Sequence, residues 1–295
     1  MPPNTSPENQ RLAALHDLVK QLRLEQLDDN RFRGGNIDIG SPAVFGGQVL
    51  GQALMAAGRT VAGQSVHSLH GYFLRAGDKA TPIDYEVDRV RDGASFSMRR
   101  VVALQHGQPI FYMSASFHRS ESGIEHQREM PVTPPPEGLQ DEHETRRALR
   151  DRLPAAARAV VDQARAIDIR PVDPLDMLAP EPRPPYNRTW MRAHGALPDD
   201  PLIHQALLAY ASDFSLLLVA MRPHGLTFMQ PQVQCVSLDH AMWFHRDFRF
   251  DDWLLYETDS PSATGARGFC RGNLFSRDGR LVASVAQEGL IRLRR

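Results

Sequence analysis

Three polar side chains in the second half of the chain lie inside segments that are otherwise apolar. Asp213 falls in a predicted apolar helix, Ser237 at the start of a strand-like segment, and Gln287 in the predicted last strand. Buried carboxylates and amides persist where they are paired or used. A carboxylate that orients and deprotonates a water molecule, with a hydroxyl and a carboxamide beside it, is suited to general-base chemistry. We therefore take Asp213, Ser237 and Gln287 as candidate catalytic residues.

Each of the three also has a structural interpretation. Asp213, next to Ser212, is typical of a break at the end of a helix. Ser237 alone is most simply a strand hydroxyl that bonds a neighbouring carbonyl, and Gln287 alone is compatible with a solvent-facing position beside Glu288.

The segment Ser237–Arg246 has the two-residue period of a half-buried strand. In it Ser237, Asp239 and His245 alternate with apolar residues. Asp239 and His240 could form an acid–base pair, but neighbours along a strand point to opposite faces. The sequence therefore favours a structural role for both.

The order of elements indicates an α+β fold. Helices are predicted at residues 10–24, 48–61 and 202–221, and within 141–166, where Pro154 interrupts. Strands are predicted at residues 31–33, 66–74, 83–91, 96–105, 109–118, 166–170, 188–193, 233–246, 253–258, 266–276 and 281–293. The pairs Asp92-Gly93 and His106-Gly107 are hairpin signals, so the sheet is predicted to be mostly antiparallel.

The second half repeats the first at an offset of about 170 residues. This offset pairs Tyr85 with Tyr256, and with a shortened gap Gln48 corresponds to Gln205. The duplication predicts an N-terminal repeat at residues 1–120, a linker with a helix at 121–165 and a C-terminal repeat at 166–295.

The two halves differ where chemistry is expected. The first half has Ala56, Val66 and Ala115 at or near the positions of Asp213, Ser237 and Gln287. A packing role should appear in both halves, so restriction of the polar trio to one half favours catalysis.

Composition and motifs exclude several other functions. The 295 residues are 42% hydrophobic with a net charge of -1, which gives no electrostatic case for nucleic acid or an anionic membrane as partner. Neither a signal peptide nor a membrane-spanning run is recognisable, and Cys235 and Cys270 are expected to be reduced core residues, so a cytoplasmic enzyme is predicted. Metal-ligand spacing, a serine nucleophile elbow and a phosphate-binding loop are absent from the sequence.

Several motifs in order resemble the acyl-CoA thioesterase II family. They are His204–Asp213, Ser237–Arg246, Trp253–Tyr256 and Gln287–Gly289, with Phe45–Ala53 and His70–Leu74 in the first half. The resemblance implies a double hotdog fold, in which each of two fused repeats wraps an antiparallel sheet around a long helix. It also implies fatty acyl-CoA substrates, no metal or organic cofactor, and catalytic roles for Asp213, Ser237 and Gln287. Many members have threonine at the hydroxyl position, where this chain has serine.

Substrate-binding residues are expected in both halves. Gly46, Gly47 and Gln48 open the first-half helix, where free backbone amides would suit a developing negative charge. Four arginines are candidate partners for the CoA phosphates: Arg75, Arg246, Arg267 and Arg271. Open sheet edges favour a homo-oligomer, a dimer or tetramer.

Two other functions stay open at this point. One is a hotdog hydratase acting on enoyl-CoA, in which Asp239 and His240 would converge on the pocket as acid and base. The other is an acyl-CoA binder without turnover, which the intact trio disfavours.

Overall fold

The computed structural model describes residues 6–153, 158 and 161–294. Its helices are α1 (Pro7–Leu22), α2 (Gly46–Gly58), α3 (Glu142–Ala148), α4 (Pro201–Ser212) and α5 (Leu218–Met221). First-half strands are β1 (Glu25–Gln26), β2 (Arg31–Gly34), β3 (Ser65–Phe73), β4 (Ile83–Asp92), β5 (Phe96–Gln105) and β6 (Gln108–His118). Later strands are β7 (Ile167–Pro171), β8 (Tyr186–Ala193), β9 (Val233–Ser237), β10 (Asp239–Phe244), β11 (Leu254–Thr264), β12 (Arg267–Ser276) and β13 (Leu281–Leu293).

The strands form one antiparallel sheet in which each half of the chain keeps its strands together. The order is β1-β2-β4-β5-β6-β3-β10-β13-β12-β11-β8-β7, with β9 also paired to β13. The halves join where β3 pairs with β10, with Leu69 opposite Met242 and Gly71 opposite His240. The predicted antiparallel α+β arrangement is therefore present, with two repeats side by side in a continuous sheet.

Helices α2 and α4 pack against each other inside the curved sheet, and both are almost wholly buried. Small residues let their backbones approach closely. A Cβ added to Gly47 would lie 2.3 Å from the carbonyl oxygen of Tyr210, and one added to Gly51 would lie 2.9 Å from that of Ala206. Glycine is thus required at this contact because any larger residue would push the helices apart.

The equivalent strands of the two halves have the same pairing register. Tyr85 pairs with Ala103 in the first half, and Tyr256 pairs with Leu274 in the second, each about 170 residues later. The equivalent strands therefore pair in the same register in both halves.

The predicted unbroken strand at residues 233–246 is wrong, because the strand divides at Leu238. Ser237 pairs with Gly289, whereas Ala241 pairs with Ala286, so the register shifts by one residue between them. Such a shift is a β-bulge, which turns the side chains that follow it to the other face.

The predicted helix at residues 202–221 is also interrupted. Helix α4 ends at Ser212, whose hydroxyl bonds the carbonyl of Ala209, and Asp213 is its C-cap. Ser215 then adopts a left-handed conformation with φ 59°, which an α-helix cannot contain, and α5 begins only at Leu218.

The remaining differences are smaller. The predicted strand at 253–258 continues to Thr264, and of the predicted helix within 141–166 the structure has α3 and a short 3-10 helix at Arg150–Arg152. The predicted interruption at Pro154 lies outside the described residues.

Candidate active site

Asp213, Ser237 and Gln287 meet at one carboxylate oxygen. The amide Nε2 of Gln287 donates to Oδ1 of Asp213 at 2.7 Å, and the hydroxyl of Ser237 donates to the same atom at 3.4 Å. The side chain of Asp213 is only 5% exposed, and Gln287 is buried. Three different elements supply these groups: the end of α4, the end of β9 and the middle of β13. The structure thus brings together all three predicted catalytic residues.

The second oxygen of Asp213 has a different environment. No described residue donates a hydrogen bond to Oδ2, and a Cβ added to Gly46 would lie 2.8 Å from it. Because Oδ1 holds both donors, Oδ2 is the oxygen left to accept a proton.

His240 is a fourth polar group at this position. Its Nδ1 lies 3.9 Å from Oδ1 of Asp213, and its Nε2 lies 3.0 Å from the hydroxyl of Ser212. The imidazole is fully buried, and burial lowers its pKa, although the charge of Asp213 opposes that shift. We conclude that His240 is neutral near pH 7 and belongs to the site.

Asp239 does not join His240. Its Oδ1 accepts the backbone N–H of Glu288 at 2.6 Å, which fixes β10 to β13. Burial raises the pKa of this carboxyl group. The two side chains therefore diverge, as expected for strand neighbours, and the convergence that an Asp239–His240 hydratase requires is not present.

Two buried polar atoms beside Asp213 are unpartnered within the described residues. They are Oε1 of Gln287 and Nδ1 of His240. A buried polar atom without a hydrogen bond is costly, so both atoms favour a small polar molecule between them.

Buried groups around the site keep their protons. The hydroxyl of Tyr256 donates to the carbonyl oxygen of Ser212 at 3.0 Å, and burial raises its pKa well above 10. Burial also raises the pKa of Cys235 and Cys270 to about 12, and in Cys235 the charge of Asp213 adds to this effect. Asp213 is therefore surrounded by groups that stay neutral.

The N-terminus of α2 faces the same place. Gly46 and Gly47 are its first residues, and their N–H groups have no acceptor among the described residues. Gln48 is different, because its side chain is buried and bonded inside the protein. Its Oε1 accepts the N–H of Ile37 at 2.8 Å and its Nε2 donates to Asn36 at 2.8 Å. Gln48 thus holds the loop that precedes the helix.

The four candidate arginines are dispersed. Arg267 and Arg271 pair with Glu288 at 2.9 Å and Asp259 at 2.5 Å, and they lie on the outer face of β12, away from the face to which Gln287 points. Arg246 donates to the carbonyl of Leu281 at 3.0 Å, at the far end of β10 from Ser237.

Arg75 lies two residues after Phe73, whose ring would lie 3.0 Å from a Cβ added to Gly46. It donates to the carbonyl of Pro109 at 2.7 Å.

The first half has apolar residues where the second half has the site. Val66 and Leu69 are buried on β3, Ala115 pairs with Leu69, and Ala56 is buried in α2. Under the repeat offset, Leu69 corresponds to His240. The comparison of the two halves therefore also marks His240 as a polar residue at an apolar position, although strand alternation predicted a structural role for it.

Two further searches concern the described residues only. They contain no group of His, Cys, Asp and Glu side chains placed to hold a metal ion. Among their helices, none combines the length and apolar character needed to cross a membrane.

Comparison with known proteins identifies the family of this chain. The family model described as acyl-CoA thioesterase matches residues 176–290, and the model described as acyl-CoA thioesterase N-terminal domain matches residues 35–118. Human acyl-coenzyme A thioesterase 8 is 44% identical over 92% of this chain and 88% of its own length. Acyl-CoA thioesterase 2 of Haemophilus influenzae is 39% identical over 94% of this chain and 98% of its own length.

Solved structures confirm the fold. The acyl-CoA thioesterase II TesB2 of Mycobacterium marinum superposes with a TM-score of 0.75 at 44% identity, over 93% of this chain and 97% of that one. A protein described as having a hot dog fold, from Alicyclobacillus acidocaldarius, superposes with a TM-score of 0.76 at 20% identity, over 95% and 99% of the two chains. With a shared fold and relatives at this level of identity, the chain belongs to the acyl-CoA thioesterase II family and is a double hotdog acyl-CoA thioester hydrolase.

Proposed function

We propose that Asp213, Ser237 and Gln287 orient a water molecule that attacks the thioester carbon directly, without a covalent enzyme intermediate. The observation that carries this proposal is that the two carboxylate oxygens of Asp213 have different hydrogen-bond partners. Oδ1 is held by Gln287 and Ser237, while Oδ2 makes no hydrogen bond to a described residue. The carboxylate is thus fixed by one oxygen and has the other available as a general base.

A water beside Oδ2 would satisfy an unpartnered atom of the site. It would donate one proton to Oδ2 of Asp213 and the other to Oε1 of Gln287. As its oxygen attacks the carbonyl carbon, its proton passes to Oδ2. The electron pair of the carbonyl moves to the oxygen, and collapse of this tetrahedral intermediate breaks the C–S bond and releases the CoA thiolate. The thiolate takes up the proton that Asp213 received, which restores the carboxylate.

The oxyanion would be stabilised from the first half. The N–H groups of Gly46 and Gly47 begin α2, and the helix dipole adds positive potential there. Donors fixed before the reaction are what a developing oxyanion requires. This arrangement explains why the first half contributes glycines and no polar trio.

Fatty acyl-CoA thioesters are the proposed substrates; the names of the relatives support acyl-CoA as the substrate class. For the CoA phosphates we favour Arg75, because it belongs to the strand end that reaches Gly46. Arg246, Arg267 and Arg271 remain weaker candidates, since all three are already in ion pairs.

The test is free-thiol release from saturated acyl-CoAs of increasing chain length, with one enoyl-CoA included. Steady thiol release, absent when Asp213 is replaced by Asn, supports the proposal. Loss of the enoyl absorbance without thiol release would instead indicate a hydratase. Tight binding without either reaction would indicate a non-catalytic binder.

From the sequence we also propose a cytoplasmic location, a homo-oligomer and a division of the chain at residues 120 and 165. The family models at 35–118 and 176–290 fall inside the two proposed repeats. Exposed aromatic residues on the outer sheet face, Tyr72, Tyr112 and Trp243, favour self-association there. Light scattering of the protein and of Tyr72→Glu would test this.

A further inference from the structure

Both repeats bury a tyrosine at the equivalent position of the sheet, but the two hydroxyl groups bond different partners. Tyr85 and Tyr256 are 0% and 3% exposed, so each hydroxyl needs a hydrogen bond within the protein. The hydroxyl of Tyr85 donates to the side chain of Gln52 at 2.7 Å, in the middle of α2. That of Tyr256 donates to the main-chain carbonyl of Ser212 at 3.0 Å, at the end of α4. The tyrosines thus share a packing position and differ in what their hydroxyls hold.

The two helices diverge at the carbonyl of Ser212. In the alignment of the helices Ser212 corresponds to Met55, whose carbonyl accepts the N–H of Arg59 at 3.1 Å, so α2 continues through this point. Among the described residues, the carbonyl of Ser212 accepts the hydroxyl of Tyr256 and no backbone N–H of the following turn. The hydroxyl therefore satisfies a carbonyl that the end of the helix leaves free. Tyr256 thus stabilises the helix end at which Asp213 is the C-cap.

Two sequence differences between the repeats give the hydroxyl of Tyr256 its own target. The residue equivalent to Gln52 is Ala209, whose side chain cannot accept a hydrogen bond. The residue equivalent to Val101 is Gly272, and a Cβ added to Gly272 would lie 2.3 Å from the ring of Tyr256 and 3.0 Å from its hydroxyl oxygen. A valine at this position would overlap the ring in a closely packed interior. The second repeat therefore differs from the first at two places that determine where the hydroxyl points.

We propose that Tyr256 is a positioning residue, whose hydroxyl holds the main chain beside Asp213 and so fixes the direction of that carboxylate. The inference rests on the proposed function, because it takes Asp213 as the general base. The carboxylate belongs to the residue that follows the bonded carbonyl, and its Oδ1 must meet the amide of Gln287 at 2.7 Å. A shift of the helix end by about 1 Å would misalign the base and the water, and a misplacement of that size can cost an enzyme about a hundredfold in rate.

The test compares Tyr256→Phe with Tyr85→Phe, which removes the equivalent hydroxyl from the first half. Each variant loses one oxygen atom and one buried hydrogen bond, so both should lower the melting temperature to a similar degree. Only Tyr256→Phe should lower kcat for thiol release from hexanoyl-CoA, by roughly tenfold to a hundredfold, because only that hydroxyl holds the base. KM should change little in either variant, since neither hydroxyl is proposed to bind substrate.

Gly272→Ala tests the same contact from the strand. The added methyl group must displace the ring of Tyr256, so kcat should fall although the hydroxyl is still present. In the Tyr256→Phe background the same substitution should lower kcat by a smaller factor, because the hydrogen bond is already lost. Equal factors in the two backgrounds would show that Gly272 does not act through the hydroxyl and would contradict the proposal.

Unchanged kcat in Tyr256→Phe would overturn the positioning role. An equal loss of kcat in Tyr85→Phe would do the same, because it would assign the effect to lost stability, and so would a raised KM with unchanged kcat. Failure of the catalytic assignment would look different, because Asp213→Asn would then still release thiol from hexanoyl-CoA. If Asp213→Asn is inactive and Tyr256→Phe is fully active, only the role of Tyr256 is wrong.

Discussion

Ser237 and His240 are three positions apart, yet both side chains point to Oδ1 of Asp213, at 3.4 Å and 3.9 Å. In a regular strand, residues three apart face opposite sides. The one-residue bulge at Leu238 places both on the inner face.

The same bulge occurs in the first half. There the register shifts between Val66 and Ser68, and both Val66 and Leu69 point into the core. The backbone geometry of the site is therefore common to both repeats, and only the second repeat fills it with polar residues.

The hydroxyl of Ser237 should be required for activity, and the size of the side chain should matter less. Ser237→Val introduces the residue of the equivalent first-half position and removes the donor to Asp213. We expect kcat to fall roughly tenfold to a hundredfold with the fold intact, because a hydrogen bond to a charged group is lost. Ser237→Thr keeps the hydroxyl and should retain most activity in the same thiol-release assay. Equal activity of Val and Thr variants would exclude a role for the hydroxyl.

Replacement of Gln287 should lower kcat more than it changes KM. Gln287→Ala, which again copies the first half, removes the 2.7 Å bond to Asp213 and the unpartnered Oε1. Since that amide positions the base and the water, kcat should fall roughly tenfold or more while KM changes little. Steady-state kinetics across an acyl-CoA concentration series separates the two. A rise in KM with unchanged kcat would assign Gln287 to substrate binding.

His240 should make stability depend on pH. Burial holds its pKa below the usual 6.5, so between the two values the unfolded chain binds more protons than the folded protein. Stability contributed by the neutral imidazole is therefore present above about pH 6.5 and is lost as pH falls toward the folded pKa. His240→Leu introduces the residue type of Leu69, the equivalent position in the first half, and should reduce this loss of stability.

Denaturant unfolding between about pH 7 and pH 5 measures the effect. Other histidines with pKa values lowered by burial, such as His67 and His204, contribute equally to both proteins and cancel in the difference. Parallel stability curves for His240→Leu and the unmodified protein would contradict the assignment.

Gly46 should be required for activity more than for folding. A Cβ at this position would lie 2.8 Å from Oδ2 of Asp213, where the proposed water and oxyanion must fit. Gly46→Ala should lower kcat at least tenfold with a modest change in melting temperature, since the carboxylate can shift where a backbone could not. Gly123→Ala, where a Cβ meets nothing within 4 Å, is the control for both measurements. Full activity of Gly46→Ala would place the reaction elsewhere.

That Asp213, Ser237 and Gln287 belong to one site was predictable because the sequence contains two repeats that can be compared with each other. Two repeats that share an apolar framework make a polar residue in one of them conspicuous, and Asp213, Ser237 and Gln287 all differ from their first-half counterparts. The element order and the antiparallel pairing were also predictable, since hairpin signals and hydrophobic periods are local.

The bulge was not predictable by the same means, and the helix end was indicated only by the structural interpretation of Asp213 next to Ser212. Ser237–Arg246 alternates well enough for one strand, and nothing local in Leu238 indicates a register shift that β13 imposes through tertiary pairing. Phe214 and Ser215 are compatible with a continuing helix, so the left-handed Ser215 results from packing. For the same reason the inner direction of His240 was missed, although its correspondence with Leu69 contained the signal.

The most direct test of the account is free-thiol release by Asp213→Asn, compared with the unmodified enzyme on the same saturated acyl-CoA. Asparagine keeps the size and the fold but cannot take a proton from water. The account predicts an unchanged unfolding transition and a turnover lowered roughly a hundredfold or more, the scale of general-base catalysis by a positioned group. Turnover within a few-fold of the unmodified enzyme would contradict Asp213 as the base.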